Sequence, residues 1–188
     1  MANNLGKIVI GKADISISDY VTAGGAGTFT DIGYTKGPCT IEPNITDYKI
    51  VPEQVLGVLR SIPVSMDYKL KFSMMETDLP KLRRVLRLPA ANLVVTGTTP
   101  NITETLSVGD SVETYNQLKV ITSGAKRAIQ DAVVTRTYTF WKATCESIEP
   151  IGHTKEQEAV CGVTFSLTLD DSVATADKYF KVVDTPLV

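Results

Sequence analysis

One stretch constrains the fold of this chain more than any other. Ser65–Leu88 reads SMDYKLKFSMMETDLPKLRRVLRL. Met66, Tyr68, Leu70, Phe72 and Met74 alternate with Asp67, Lys69, Lys71 and Ser73, so a strand here has one apolar and one wet face. At Thr77 or Asp78 the period changes. Either residue can cap a helix, and Pro80 fits a first turn, where a missing N–H costs nothing. Leu79, Leu82, Val85 and Leu86 then recur at helical spacing, with Lys81, Arg83, Arg84 and Arg87 between them, and Pro89 ends the pattern. A helix of about ten residues is marginal alone, so its apolar stripe must pack on a sheet. The four basic residues are expected on the solvated face opposite that stripe.

The rest of the chain reads mostly as strands. Lys7–Ser18 alternates, TAGGAGTFTDIG turns, and Thr28–Tyr34 returns. Gly24, Gly25 and Gly27 are not followed by a Lys-Ser/Thr pair or a helix, so they mark a turn rather than a phosphate cradle. Gly37–Pro63 is interrupted by Pro38, Pro43, Pro52 and Pro63, with short strands expected at Cys39–Ile41 and Thr46–Val51. It is too apolar for a disordered tail, and is expected either as an irregular connection on its own domain or as a loop that orders against a partner. Asn92–Gly97 and Gln117–Ile121 are strands. Thr98–Ser107 is a loop or an edge, Ser123–Gly124 a turn, and Ala125–Ala132 a short helical turn. Val133–Ile148 and Cys161–Leu169 form an antiparallel hairpin. About seven or more strands and one helix give a mainly β protein, an antiparallel sandwich or barrel with one flanking helix, in a single domain of 188 residues.

Composition narrows the function. The net charge of −2 argues against a dedicated nucleic-acid binder. No apolar run approaches membrane-spanning length, and the N-terminus lacks the charged start and long apolar run of a signal peptide. Cys39, Cys145 and Cys161 are odd in number and widely spaced, which suits reduced, partly buried thiols. His153 is the single histidine, with no GxSxG, HExxH or CxxC pattern to give it a partner. The chain is therefore expected not to be an enzyme, and to need no cofactor or metal. Glu146, Glu149, Glu156 and Glu158 lack the dense oxygen spacing of a calcium loop and are expected as surface charge.

Four stretches in order carry a resemblance: ADISIS; TFTDIGYTKGPCTIEP; VPEQVLGVLRSIPVSMDYKLKFSMMETDLPKLRRVL; and RTYTFWKATCESIEPIGHTKEQEAVCGVTFSLTLDDS. Together they cover about half of the chain, and their order and spacing resemble the tail tube proteins (major tail proteins) of long-tailed bacteriophages. The Leu93–Ile129 stretch matches less well. The resemblance implies a structural virion protein, made in the bacterial host cytoplasm. Such proteins close into hexameric rings that stack into a tube for DNA ejection. Implied partners are further copies of itself, the tape-measure protein, a tail terminator or baseplate proteins, a sheath if the tail contracts, and DNA in transient, non-specific passage; no membrane is involved. The loop at about 37–63 is then the element that reaches the next ring, with Pro52, Glu53, Gln54, Val55 and Leu56 in the stacking contact. A C-terminal arm at about 171–188 touches a neighbour. The four glutamates are candidates for lumen lining, and Lys81, Arg83, Arg84 and Arg87 for an outer or sheath-facing helix. The alternatives are the inner tube of a contractile injection particle and a monomeric β-sandwich binding module, the latter needing an aromatic-lined groove.

Overall fold

The computed structural model describes residues 13–25, 27–51, 58, 60–109, 115–126, 133–151, 159–173 and 177–186. Ten strands and one helix follow in chain order: β1 Ala13–Asp19, β2 Thr30–Asp31, β3 Thr40–Ile50, β4 Arg60–Met74, α1 Leu79–Val85, β5 Leu93–Thr98, β6 Asn101–Leu106, β7 Asn116–Lys126, β8 Val133–Ile148, β9 Cys161–Leu167 and β10 Phe180–Pro186. Eight strands form one sheet in the order β2-β1-β7-β8-β9-β4-β3, with β10 also on β8; β5 and β6 form a second, two-stranded sheet. Every pairing is antiparallel. This is the mainly β class with one flanking helix that the alternation predicts.

β8 organises the sheet. Over Asn116–Lys126 it holds β7 on one side. Its other side is shared end to end, by β10 at Val134–Phe140 and by β9 at Ala143–Ile148. β9 then carries β4 through Tyr68↔Leu167 to Met74↔Cys161. The inward residues of these strands make one core: Ile15 and Ile17 from β1, Leu118 and Val120 from β7, Phe140 from β8, Val163, Phe165 and Leu167 from β9, and Leu70, Phe72 and Met74 from β4. β1 and β4 lie three strands apart yet share this core, so the sheet curls and closes one face on itself. Phe72 and Phe165 stack at 5.8 Å between centroids.

The helix starts as the sequence predicts and ends differently. Asp78 is the cap and accepts from the Lys81 N–H at 3.1 Å, with Pro80 in the first turn. After Val85 the chain turns through Arg87 at φ 59°, while the Leu88 N–H donates to Arg83 O and the Arg87 N–H to Arg84 O. That is the paired-bond helix ending which usually uses glycine at the left-handed position.

Several expectations need correction. Gly37–Pro63 is not an irregular connection. β3 runs unbroken from Thr40, and β4 begins at Arg60, so most of the segment is a long hairpin. Pro43 and Pro63 sit where a strand has a free edge: β3 ends the sheet, and the β4 pairing with β9 reaches only to Tyr68, well past Pro63. Thr98–Ser107, expected as a loop or an edge, is an edge: it contains β6 of the two-stranded sheet. Ser123–Gly124 lies inside β7, where the register with β8 shifts at Gly124, so the glycine marks a bulge rather than a turn. Ala125 and Lys126 continue that strand instead of starting a helical turn. Thr28–Tyr34 shortens to the two residues of β2, although Ile32 is still fully buried. The expected C-terminal arm contains β10, a strand of the chain's own sheet, fastened by Arg136 to Asp184 at 2.7 and 2.9 Å.

Candidate assembly surface

β4 is 15 residues long, and only its second half is core. Leu70, Phe72 and Met74 are buried, whereas Arg60–Asp67 are all exposed. The exposed half pairs with β3 to make an arm that projects from the domain. Cross-strand pairs carry the register: Ile41↔Leu70, Pro43↔Tyr68 and Ile45↔Met66 near the root, Tyr48↔Ile62 and Ile50↔Arg60 near the tip. Between them the register shifts at Thr46/Asp47, leaving Val64 as the extra residue on β4. Ile45 and Tyr48 are three residues apart, so they lie on opposite faces. The bulge thus moves the apolar set from one face of the arm to the other. Ile45, Tyr48, Val51, Val58 and Val64 are more than half exposed, Tyr48 at 62%. Exposed apolar surface on a projecting hairpin makes the arm a candidate interaction site.

The arm's root is fixed. Tyr68 meets Tyr179 and Phe180 edge to face at 5.1 and 5.2 Å, and Phe180 packs on Phe140 of the core at 5.4 Å. The Tyr179 hydroxyl donates to Met66 O. β10 therefore buttresses the point at which the arm leaves the domain, a role that alternation alone does not reveal. The expected stacking residues Pro52, Glu53, Gln54, Val55 and Leu56 lie outside the described residues; the strands that carry them do not.

The basic residues of α1 do not form a solvated face. Lys81 and Arg83 are 5% and 8% exposed. Lys81 Nζ bridges Glu76 at 3.1 Å and Asp78 at 3.0 Å, and Arg83 Nη2 meets Asp19 Oδ1 at 2.9 Å while its Nη1 donates to Leu88 O. Arg84 reaches the same Asp19 at 3.4 Å and Ile17 O. Leu79, Leu82 and Leu86, expected as the buried stripe, are half-buried. The helix is too short to bury all its leucines, and carboxylates on β1 and in the β4–α1 turn draw its cations inward. Burial pushes the Asp19 carboxyl up, but the hydrogen bond and charge of Arg83, then those of Arg84, outweigh it and hold the group below its ordinary value. Arg87 is half-buried, and its Nε has no partner among the described residues.

The glutamates separate. Glu146 is exposed and paired with Lys69 of β4 at 2.6 Å, and Glu149 lies exposed over Gly162, whose missing side chain makes room for it. Glu156, Glu158 and His153 lie outside the described residues. A cleft of about 360 Å³ is lined by Asp14, Asp31, Gly33, Tyr34, Glu76 and Lys81. Its charges are partly matched internally, Lys81 to Glu76, and one aromatic ring lines it. Among the described residues no group of three or more His, Cys, Asp or Glu side chains could hold a metal ion. The three cysteines are free, and burial pushes the thiols of Cys39 and Cys145 up to about 11.

The sequence reading also passes over Gln117. It is fully buried; its amide donates to Val21 O at 3.1 Å and Gly25 O at 3.0 Å, and its Oε1 accepts from the Gly27 N–H at 3.1 Å. One side chain thus satisfies the backbone of the glycine turn.

No family model matches the chain, and no curated protein matches it. Among solved structures it is similar to a chain of the anti-feeding prophage (AFP) baseplate, determined by cryo-EM with 6-fold symmetry. The match covers 95% of each chain at 10% identity and a TM-score of 0.45. A score at that level does not establish a common fold.

Proposed function

We propose that this chain is a self-assembling structural protein of the tail-tube kind, whose copies close into rings that stack into a conduit for DNA. The observation that carries this reading is the β3–β4 arm. It projects from the domain, exposes aliphatic and aromatic side chains along its length, and has free backbone edges. A solitary domain must guard such edges, and assembly covers them. The four sequence stretches that resemble tail tube proteins place their long loop at this same segment. The role is geometric rather than catalytic: apolar burial and backbone pairing hold copies together, and an acidic balance keeps a polyanion from sticking.

The test is negative-stain electron microscopy of the purified protein across a concentration series. Rings or hollow tubes are expected. Deleting Ile50–Ser61 should leave monomers or rings but no tubes; normal tubes from the deletion would remove the arm from stacking. A monodisperse monomer at every concentration, alone and with a tail initiator complex, would overturn the reading.

A further inference from the structure

A second hairpin is exposed at the other end of β4. Among the described residues β5 and β6 pair only with each other, so neither outer edge has a strand partner there. A lone two-stranded hairpin is at best marginally stable in water. This one touches α1 at its root and exposes the rest. Its register puts Leu93, Val95 and Gly97 on one face with Leu106, Glu104 and Ile102, while Val94 shares the other face with threonines. Val95 and Ile102 are 57% and 51% exposed. Glu104, between them, is the only charged residue from Leu93 to Val108. This segment is also where the likeness to tail tube sequences is weakest.

The tip of the arm is its counterpart. Tyr48, Ile50 and Ile62 share one face with Arg60. Among the described residues, the apolar face at the tip of the arm thus holds one exposed charge, Arg60, and that of the second hairpin holds Glu104, of opposite sign. Neither Arg60 nor Glu104 has an ion-pair partner among the described residues. Within a copy the tip of the arm, at Arg60, and Met74, from which α1 and the second hairpin follow, are the two ends of β4, about 46 Å apart at strand rise.

We infer that the β5–β6 hairpin is the acceptor for the β3–β4 arm of a second copy of this chain, with Arg60 of one copy opposite Glu104 of the next. The contact joins different surfaces, so it propagates head to tail instead of closing as a two-fold dimer. The inference rests on the self-assembly proposed above and adds the surface that receives the arm.

Two experiments test it. Y48C protein mixed with V95C protein and mildly oxidised should give a disulfide-linked dimer that neither variant gives alone. In parallel, Glu104→Arg should raise the concentration needed for tubes by about tenfold, as like charges meet in a contact, and adding Arg60→Glu to the same chain should restore it. Both substitutions are at exposed positions, and a thermal melt checks the fold. If wild-type protein forms tubes but E104R forms them equally well, or the double variant stays defective, or no mixed dimer appears, the acceptor assignment falls and the tail-tube reading stands. If wild-type protein forms no tubes and the Y48C and V95C proteins form no mixed dimer under any condition, both fall.

Discussion

The two halves of β4 follow the same alternation and have opposite fates. From Tyr68 to Met74 the strand is held by β9, with β3 on its other side as far as Lys71, and its apolar face is sealed by Phe165, Val163 and the far side of the curled sheet. From Arg60 to Asp67 it has β3 alone, and Ile62, Val64 and Met66 remain exposed. Alternation says which side chains share a face. It does not say whether anything covers that face. In this chain β9 marks the change: it ends its pairing at Tyr68, and from there the same pattern turns from core into exposed surface.

The contrast breaks most directly by truncation at each end. Leu70→Ala, in the core half, should cost about 2–5 kcal/mol of stability, because it leaves a cavity among close-packed side chains. Tyr48→Ser, in the arm, should change stability by less than about 0.5 kcal/mol while impairing tube formation. Chemical denaturation read beside sedimentation separates the two. An arm substitution as costly as the core one would mean that the arm folds back on the domain in solution.

Gln117→Ala is the next largest effect. It strands the Val21 and Gly25 carbonyls and the Gly27 N–H, at about 1–3 kcal/mol for a buried group left unpaired. The loss should show in denaturation midpoint and in faster amide exchange confined to the glycine turn, with the arm unchanged.

Beyond the core end of β4, the helix gives a gain and a pH dependence. Arg87→Gly should stabilise the protein by about 1 kcal/mol, since it removes a side chain from a left-handed residue. A loss would show that packing of the Arg87 stem outweighs the backbone strain. Asp19 has its carboxyl held low, so the stability it contributes is present above the unfolded-state pKa and is lost as the pH falls through the lower folded value. The Asp19→Asn protein should therefore lose less stability than wild type between neutral pH and the acid side of the carboxylate range. Equal acid sensitivity would mean that the clamp on α1 contributes nothing.

The smallest effect is on the thiols. With Cys39 and Cys145 pushed up to about 11 by burial, alkylation of the native protein at pH 8 should be slow and should become fast in denaturant. Fast labelling of one thiol in the native state would locate a loosened region of the core half.

Much of the architecture was legible because period 2 is a local property. β8 has the bounds that its pattern predicts, β9 differs by two residues, and the strand from Met66 to Met74 places its apolar face as expected. The arm was illegible because prolines usually argue against a strand, and only pairing order shows that Pro43 and Pro63 sit at free edges. Gln117 gave no signal, since a buried amide that serves another segment's backbone looks like any polar residue at a strand start. The bulge at Val64 and the shift at Gly124 depend on the partner strand's count, which one strand's sequence does not contain.

What the sequence determined by itself is the antiparallel β class, the strand-to-helix switch at Thr77 or Asp78, and the apolar character of the segment that became the arm. These follow from side-chain period and capping chemistry, which act over a few residues. Only the tertiary structure decided which apolar faces are covered, that the cations of α1 turn inward to Asp19, Glu76 and Asp78, and that two exposed hairpins stand at opposite ends of β4. Burial and ion pairing depend on which distant segments the sheet brings together, and that is set by strand order and curl.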